Sequence, residues 1–240
     1  MAALSYTSQD YFTLDGVSSA AVGLWVDTPP VPPLARQRYT TWKTGVDADM
    51  TSPDDVWEDI TLSFSCYVFL KNDDFRLDAI YAFLNGKSRL QCSRFPNRFF
   101  KIRQVGGVTP AQQYDGNKIR LNISFVCNPF KYHTSNATVT PDANGIVTNP
   151  GTRYSRPVYQ ITRSHNGECT MTVNNQLLVI SSDAPAHMTV DAERMIAYNT
   201  QNSENATKYT TGYFPFLNPG QNTVTLENCS VQILGNWRDY

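Results

Sequence analysis

The residues best placed to do chemistry fall in two oppositely charged stretches. Lys87, Arg89, Arg94, Arg98, Lys101 and Arg103 put six basic residues into seventeen positions without an acid among them, and Phe95, Phe99 and Phe100 interleave. Basic and aromatic side chains together bind single-stranded nucleic acid, by phosphate pairing and base stacking. No recognised RNA-binding motif accompanies them. An outward strand face over core aromatics, or a patch meeting an acidic partner, is the simpler reading. The acidic counterpart is Asp47, Asp49, Asp54, Asp55, Glu58 and Asp59. As a calcium loop it lacks the glycine at the sixth position and the closing glutamate, so a solvated loop is expected.

The remaining candidates are sparser. His133, His165 and His187 are dispersed. His165 with Glu168 and Cys169 could be drawn as ligands, but a zinc centre needs three or four ligands at characteristic spacing. A hairpin turn around Asn166-Gly167 explains that segment without metal. Asp191 and Glu193 would share one strand face, as paired glycosidase carboxylates do, although polar residues at strand ends are far commoner. Ser18, Ser19 and Gly23 form no nucleophile elbow, no Ser-His-Asp or Cys-His arrangement can be argued, and glycine-rich phosphate loops are absent. No catalytic residue, metal or cofactor is expected. Cys66, Cys92, Cys127, Cys169 and Cys229 are widely spaced with no CxxC; Cys66 and Cys127 fall in the apolar phase of predicted strands, as small core residues. Such usage suits a reducing compartment. The sequons at Asn122, Asn136, Asn205 and Asn228 carry little weight without a secretory route.

The elements that must position these groups are mostly strands. With 240 residues the chain can bury a real core, as one large β domain or two ordinary ones. Its 20 basic and 21 acidic residues give no polyion signature, so the whole molecule would not steer nucleic acid. No apolar run is long enough for a membrane-spanning helix, and the N-terminus lacks a secretory pattern. Ile60 to Leu70 alternates cleanly, and so does Ile119 to Cys127 before Asn128-Pro129 stops the ladder. A helix is predicted over Phe75 to Leu84, capped by Asn72 or Asp73 and closed by Gly86, with Phe75, Ala79, Ile80, Phe83 and Leu84 at helical spacing. Phe99 to Val105 reads as a strand, with a turn at Gly106-Gly107 and Pro110.

Pro29, Pro30, Pro32 and Pro33 favour extended backbone outside a sheet interior. Arg38 to Trp42 reads as a short strand and Gly45 to Asp59 as a long loop. A domain is expected to end at Tyr132, giving residues 1–132 and 133–240. The second half shows short strands from Val158 to Leu234, with Asn174-Asn175 as a two-residue hairpin turn, the pattern of a sandwich or barrel. Trp25, Tyr39, Trp42 and Trp57 cluster near the proline-rich region, where aromatics suit an interface or a core equally.

Several segments, in order, resemble the distal tail proteins of bacteriophages with long, non-contractile tails (siphophages). Asp15-Gly16-Val17 and Gly23-Leu24 look like that family's opening hairpin. Phe75 to Leu84, followed by Phe95-Pro96-Asn97-Arg98-Phe99-Phe100, is similar to its helix and adjoining strand. Phe125-Val126-Cys127-Asn128-Pro129-Phe130-Lys131-Tyr132 is the closest local match. The run from Gly212 to Asn222 looks like the approach to its last strands, and Trp237-Arg238 like its ending. The family's Gly-Arg turn before the first long strand is replaced here by Trp42 to Asp49.

The resemblance implies a mainly β fold: an N-terminal β-barrel-like domain with one α-helix, and a C-terminal galectin-like β-sandwich. It further implies a homohexameric ring at the distal end of the tail, joining the tail tube protein to the baseplate hub and leaving a channel for DNA. A receptor-binding protein is a further expected partner, and neither sequence-specific nucleic acid nor membrane is expected. Such a protein works in the virion after synthesis in the host bacterial cytoplasm, and is no enzyme. The charged stretches then become candidates for the subunit interface, with the acidic loop pairing with a neighbour's basic patch or lining a lumen that must not hold DNA. The residues expected there are Asp47, Asp49, Asp54, Asp55, Arg94, Arg98, Lys101, Trp42 and Trp57. The alternative is a carbohydrate-binding, lectin-like module for host cell-wall polysaccharide, signalled by exposed Tyr or Trp on one sandwich face. A cell-wall hydrolase is a third reading.

Overall fold

The structure is a computed structural model that describes residues 10–42, 50–69, 75–115, 118–164 and 167–240 of the 240-residue chain. Strands account for 55% of it and helix for 8%, so the fold is mainly β. Its contacts divide it into two compact units, residues 1–134 with Tyr240, and residues 135–239.

The first unit opens with β1 (Phe12–Leu14) and β2 (Val17–Ser18), joined by Asp15 and Gly16 at φ 48° and 87°. Two successive left-handed residues make the tight turn that matches strand twist. The Asp15 carboxylate accepts from Ser88 N at 3.3 Å, Ser88 Oγ at 2.9 Å and Arg89 N at 2.9 Å, tying the hairpin to the next strand over. The other strands are β3 (Leu24–Thr28), β4 (Gln37–Trp42), β5 (Met50–Trp57), β6 (Ile60–Phe69), β7 (Arg89–Cys92), β8 (Arg98–Asp115), β9 (Lys118–Cys127) and β10 (Lys131–His133). The main antiparallel sheet runs β2-β1-β7-β8-β9-β6-β3, with β10 on β8, and β4 and β5 form a separate two-stranded ribbon.

The two cleanest alternations in the sequence pair with each other along their whole length, from Ile60 opposite Cys127 to Phe69 opposite Lys118. Their inward phases, Ile60, Leu62, Phe64, Cys66 and Val68 against Leu121, Ile123, Phe125 and Cys127, are buried. A one-residue slip would turn both sets outward, which fixes the register. Phe12, Phe64 and Phe125 meet in tilted and edge-to-face contacts at centroid distances of 4.8, 5.6 and 5.8 Å. The helix α1 (Phe75–Leu84) covers this cluster with Ile80, Phe83 and Leu84, and Gly86 lies at φ 67° just beyond its end. Ala79, expected on the inner face, is exposed; Leu77 packs inward instead. Asn72 and Asp73, the expected caps, lie outside the described residues.

Two expectations need correction. The predicted loop from Gly45 to Asp59 contains β5, which pairs with β4 from Trp42 opposite Met50 to Gln37 opposite Trp57. Its sequence, MTSPDDVW, has no apolar alternation, so periodicity carries no strand signal there. The predicted turn at Gly106-Gly107 and Pro110 is instead the middle of the 18-residue β8. Register shifts between Ile102 and Gln104, across Gly106 itself, and between Ala111 and Tyr114 absorb the extra residues, as bulges do. Gly106 lies against β9 so closely that a Cβ there would stand 2.7 Å from Ser124 Oγ. Pro110 is tolerated because β7 reaches only Arg89 and Leu90, leaving β8 an outer edge there.

The second unit is a sandwich of two five-stranded antiparallel sheets. One runs β11 (Thr138–Val139), β20 (Cys229–Leu234), β13 (Val158–Arg163), β16 (His187–Asp191), β17 (Ile196–Asn199); the other runs β12 (Ile146–Asn149), β19 (Gly220–Glu227), β14 (Cys169–Val173), β15 (Gln176–Ile180), β18 (Thr210–Gly212). A short β21 (Arg238–Asp239) follows. Both sheets feed one core, with Tyr159, Ile161, Met188 and Val190 facing Met171, Val173, Leu178 and Val224. Asn174 and Asn175, at φ 46° and 69°, form the expected hairpin turn between β14 and β15. Buried Asn222 holds the approach to β19: its Nδ2 donates to Asn218 O and Gly220 O at 2.9 Å each, and its Oδ1 accepts from Asn218 N at 2.7 Å.

Candidate assembly interface

The basic stretch lies mostly along β7 and the start of β8, and the sheet register gathers its members. Arg89 stands opposite Lys101, and Phe99 opposite Tyr132. Phe99 and Lys101, two residues apart, share one face. The Arg89 guanidinium lies 4.0 Å over the Phe99 ring, Lys101 Nζ lies 4.2 Å over Tyr132, and the two rings stack at 5.5 Å. These cations hold an ordered cation–π layer, so the aromatic rings are covered rather than offered for base stacking. Arg94 is exposed in the turn between β7 and β8, and Arg98 Nη1 donates to Asn97 O at 3.0 Å.

The acidic stretch is partly engaged within its own unit. Asp59 Oδ1 lies 3.2 Å from Arg103 Nε, and Asn128 Oδ1 accepts from the same nitrogen at 2.8 Å. Asp54 and Asp55 sit on β5, where the backbone alone is described, and Asp47 and Asp49 lie outside the described residues. Trp42 and Trp57 end opposite sides of the β4–β5 ribbon. Trp57 is half-buried against Phe130 at 5.8 Å and Tyr240 at 5.4 Å, an aromatic group no local signal foretold.

The residues considered for catalysis are occupied otherwise. Asp191 Oδ1 accepts from Glu193 N at 2.9 Å and Arg194 N at 3.0 Å, so this carboxylate closes a turn. His165 and Asn166 lie outside the described residues, and no three His, Cys, Asp or Glu side chains converge among the described ones. All five thiols are free. Burial above all, with the nearby Asp27 and Asp59 charges respectively, pushes Cys66 and Cys127 up to about 12, far from a reactive thiolate. Burial likewise raises the Tyr159 phenol, whose hydroxyl donates to Pro215 O at 3.2 Å. An open groove of about 450 Å³ between α1 and β8 is lined by Ala82, Leu84, Val105 and Val108 with Tyr81 and Asn85. It presents no carboxylate, imidazole or thiol among the described lining residues, hence no acid–base pair. No helix among the described residues is long and apolar enough to cross a membrane.

This arrangement has a counterpart among solved structures. The Dit protein (gp 19.1) of phage SPP1, described as a paradigm of the hub adsorption apparatus in phages infecting Gram-positive bacteria, superposes with a TM-score of 0.74. The match covers 93% of this chain and 97% of that one at 16% sequence identity. The fold is that of a phage tail hub protein. No family model and no curated protein matches the sequence. A fold retained at such low identity rests on the buried faces and turns described above, while surface charges are free to differ.

Proposed function

We propose that the chain is a structural component of a phage tail: a distal tail protein that closes into a homohexameric ring at the tail's far end. The ring connects the tail tube protein to the baseplate hub and leaves a passage for DNA. The observation that carries this reading is the end-to-end match of both β units to a tail hub protein, covering 93% of the chain. In this reading residues 1–132 make the ring contacts, and residues 133–240, a galectin-like sandwich, project outward toward receptor-binding or other peripheral proteins. The work is geometric rather than catalytic. The protein is made in the host bacterial cytoplasm and resides in the virion.

The physical features of the first unit suit ring closure. A closed ring of identical subunits needs two different patches on each, and separate acidic and basic stretches supply them. A two-stranded ribbon is marginal by itself, so β4–β5, bearing Asp54, Asp55 and Trp42, is best stabilised against another surface. Asp47, Asp49, Asp54 and Asp55 would approach Arg94, Arg98 and Lys101 of the neighbour, with Trp42 and Trp57 at the ribbon's ends. The near-equal charge counts give the molecule as a whole no long-range pull on DNA. Antibody raised against the chain should label the distal tip of the tail on intact particles of the encoding phage, viewed by electron microscopy; label confined to the capsid, or none, would overturn the assignment.

A further inference from the structure

We infer that the outer face of the β11-β20-β13-β16-β17 sheet is a binding site for a neutral, hydroxyl-rich glycan. A groove of about 330 Å³ crosses this face, lined by Gln160, Thr162, His187, Thr200, Ser230 and Gln232 and touched by Ile161, whose side chain faces the core. The lining brings together positions from residue 160 to 232, so the fold builds it from distant segments.

The register orders the groove in rows. Tyr198, Thr189, Gln160 and Gln232 form one cross-strand row, and His187, Thr162 and Ser230 form the next. All project away from the core, because the alternating positions Tyr159, Ile161, Val190, Ala197, Val231 and Ile233 are buried. The walls are held by side-chain bonds: Thr162 Oγ1 to His187 Nδ1 at 3.2 Å, and Thr189 Oγ1 to Thr200 Oγ1 at 2.9 Å. The amides of Gln160 and Gln232, directly opposed, make no hydrogen bond to described residues. Each primary amide offers two donors and an acceptor, and an opposed pair matches adjacent hydroxyls that both donate and accept. Outside the groove lining, half-buried Tyr198 ends the same cross-strand row, where its ring would meet the C–H side of a sugar that extends past the groove.

The absent charges choose the ligand class. No Asp, Glu, Lys or Arg is among the described lining residues, so an anionic polymer meets no counter-charge and a basic peptide no carboxylate. This inference is independent of ring formation.

The test uses the full-length protein, titrated by calorimetry and saturation-transfer NMR with neutral tri- to hexasaccharides of glucose, galactose, rhamnose and N-acetylglucosamine. Polygalacturonate serves as the anionic control. At least one neutral oligosaccharide should bind, with polygalacturonate silent. The Q160A/Q232A variant should weaken that binding tenfold or more, and Ser230→Trp, which fills the groove, should abolish it. Both variants should keep the wild-type oligomeric mass and melting temperature. The inference is overturned if no saccharide binds, if both variants bind as wild type, or if polygalacturonate binds equally well.

Discussion

Asn222 condenses the second unit's local chemistry into one side chain. It is 1% exposed, and its amide serves Asn218 O, Gly220 O and, at 3.4 Å, Val147 O, while its oxygen takes Asn218 N. Removing it strands buried backbone groups, each of which costs about 1–3 kcal/mol. Asn222→Ala should therefore destabilise the protein by roughly 2–3 kcal/mol in urea unfolding, with the far-UV spectrum below the transition unchanged. Cys66 and Cys127 make a different residue-scale prediction. Their folded values, about 12, lie above the ordinary thiol value of 9.0. The folded state thus keeps protons that the unfolded state loses, and stability must fall as pH rises from about 9 toward 12. Unfolding midpoints at pH 8 and pH 10.5 should differ more for wild type than for the C66A/C127A variant.

At the scale of elements, the β4–β5 ribbon is the part whose role is most open to direct test. Reversing its charge with D54K/D55K should reduce ring assembly at least tenfold, read as the concentration for half-assembly in sedimentation, while the melting temperature of the single copy stays within a few degrees. Unchanged assembly would remove the ribbon from the interface. The same ribbon explains what the sequence could and could not say. The strands β6 and β9 were legible residue by residue because one buried face forces strict alternation. In β5 no face alternates, and Pro53 with two aspartates reads as loop. In β8 the Gly106-Gly107 pair signals a turn locally, whereas in the sheet Gly106 falls at a register shift beside Ser124. The charged residues of the candidate interface were visible at once, but their partners were not. That Arg103 meets Asp59, or Lys101 meets Tyr132, follows only from long-range register. The glycan groove showed locally only as the polar phase of β13 and β20.

For the whole molecule, the mainly β fold is shared at 16% identity with a tail hub protein, and the proposed role is that copies assemble around an opening. Separated acidic and basic stretches and the two-stranded β4–β5 ribbon suit docking between copies. Docking of this kind depends on concentration and, where charges contribute, on salt. The most direct test is electron microscopy of the purified full-length chain at high protein concentration and low ionic strength. Six-fold rings with an open centre are the predicted result. Fields of single copies, with no closed assembly, would contradict it.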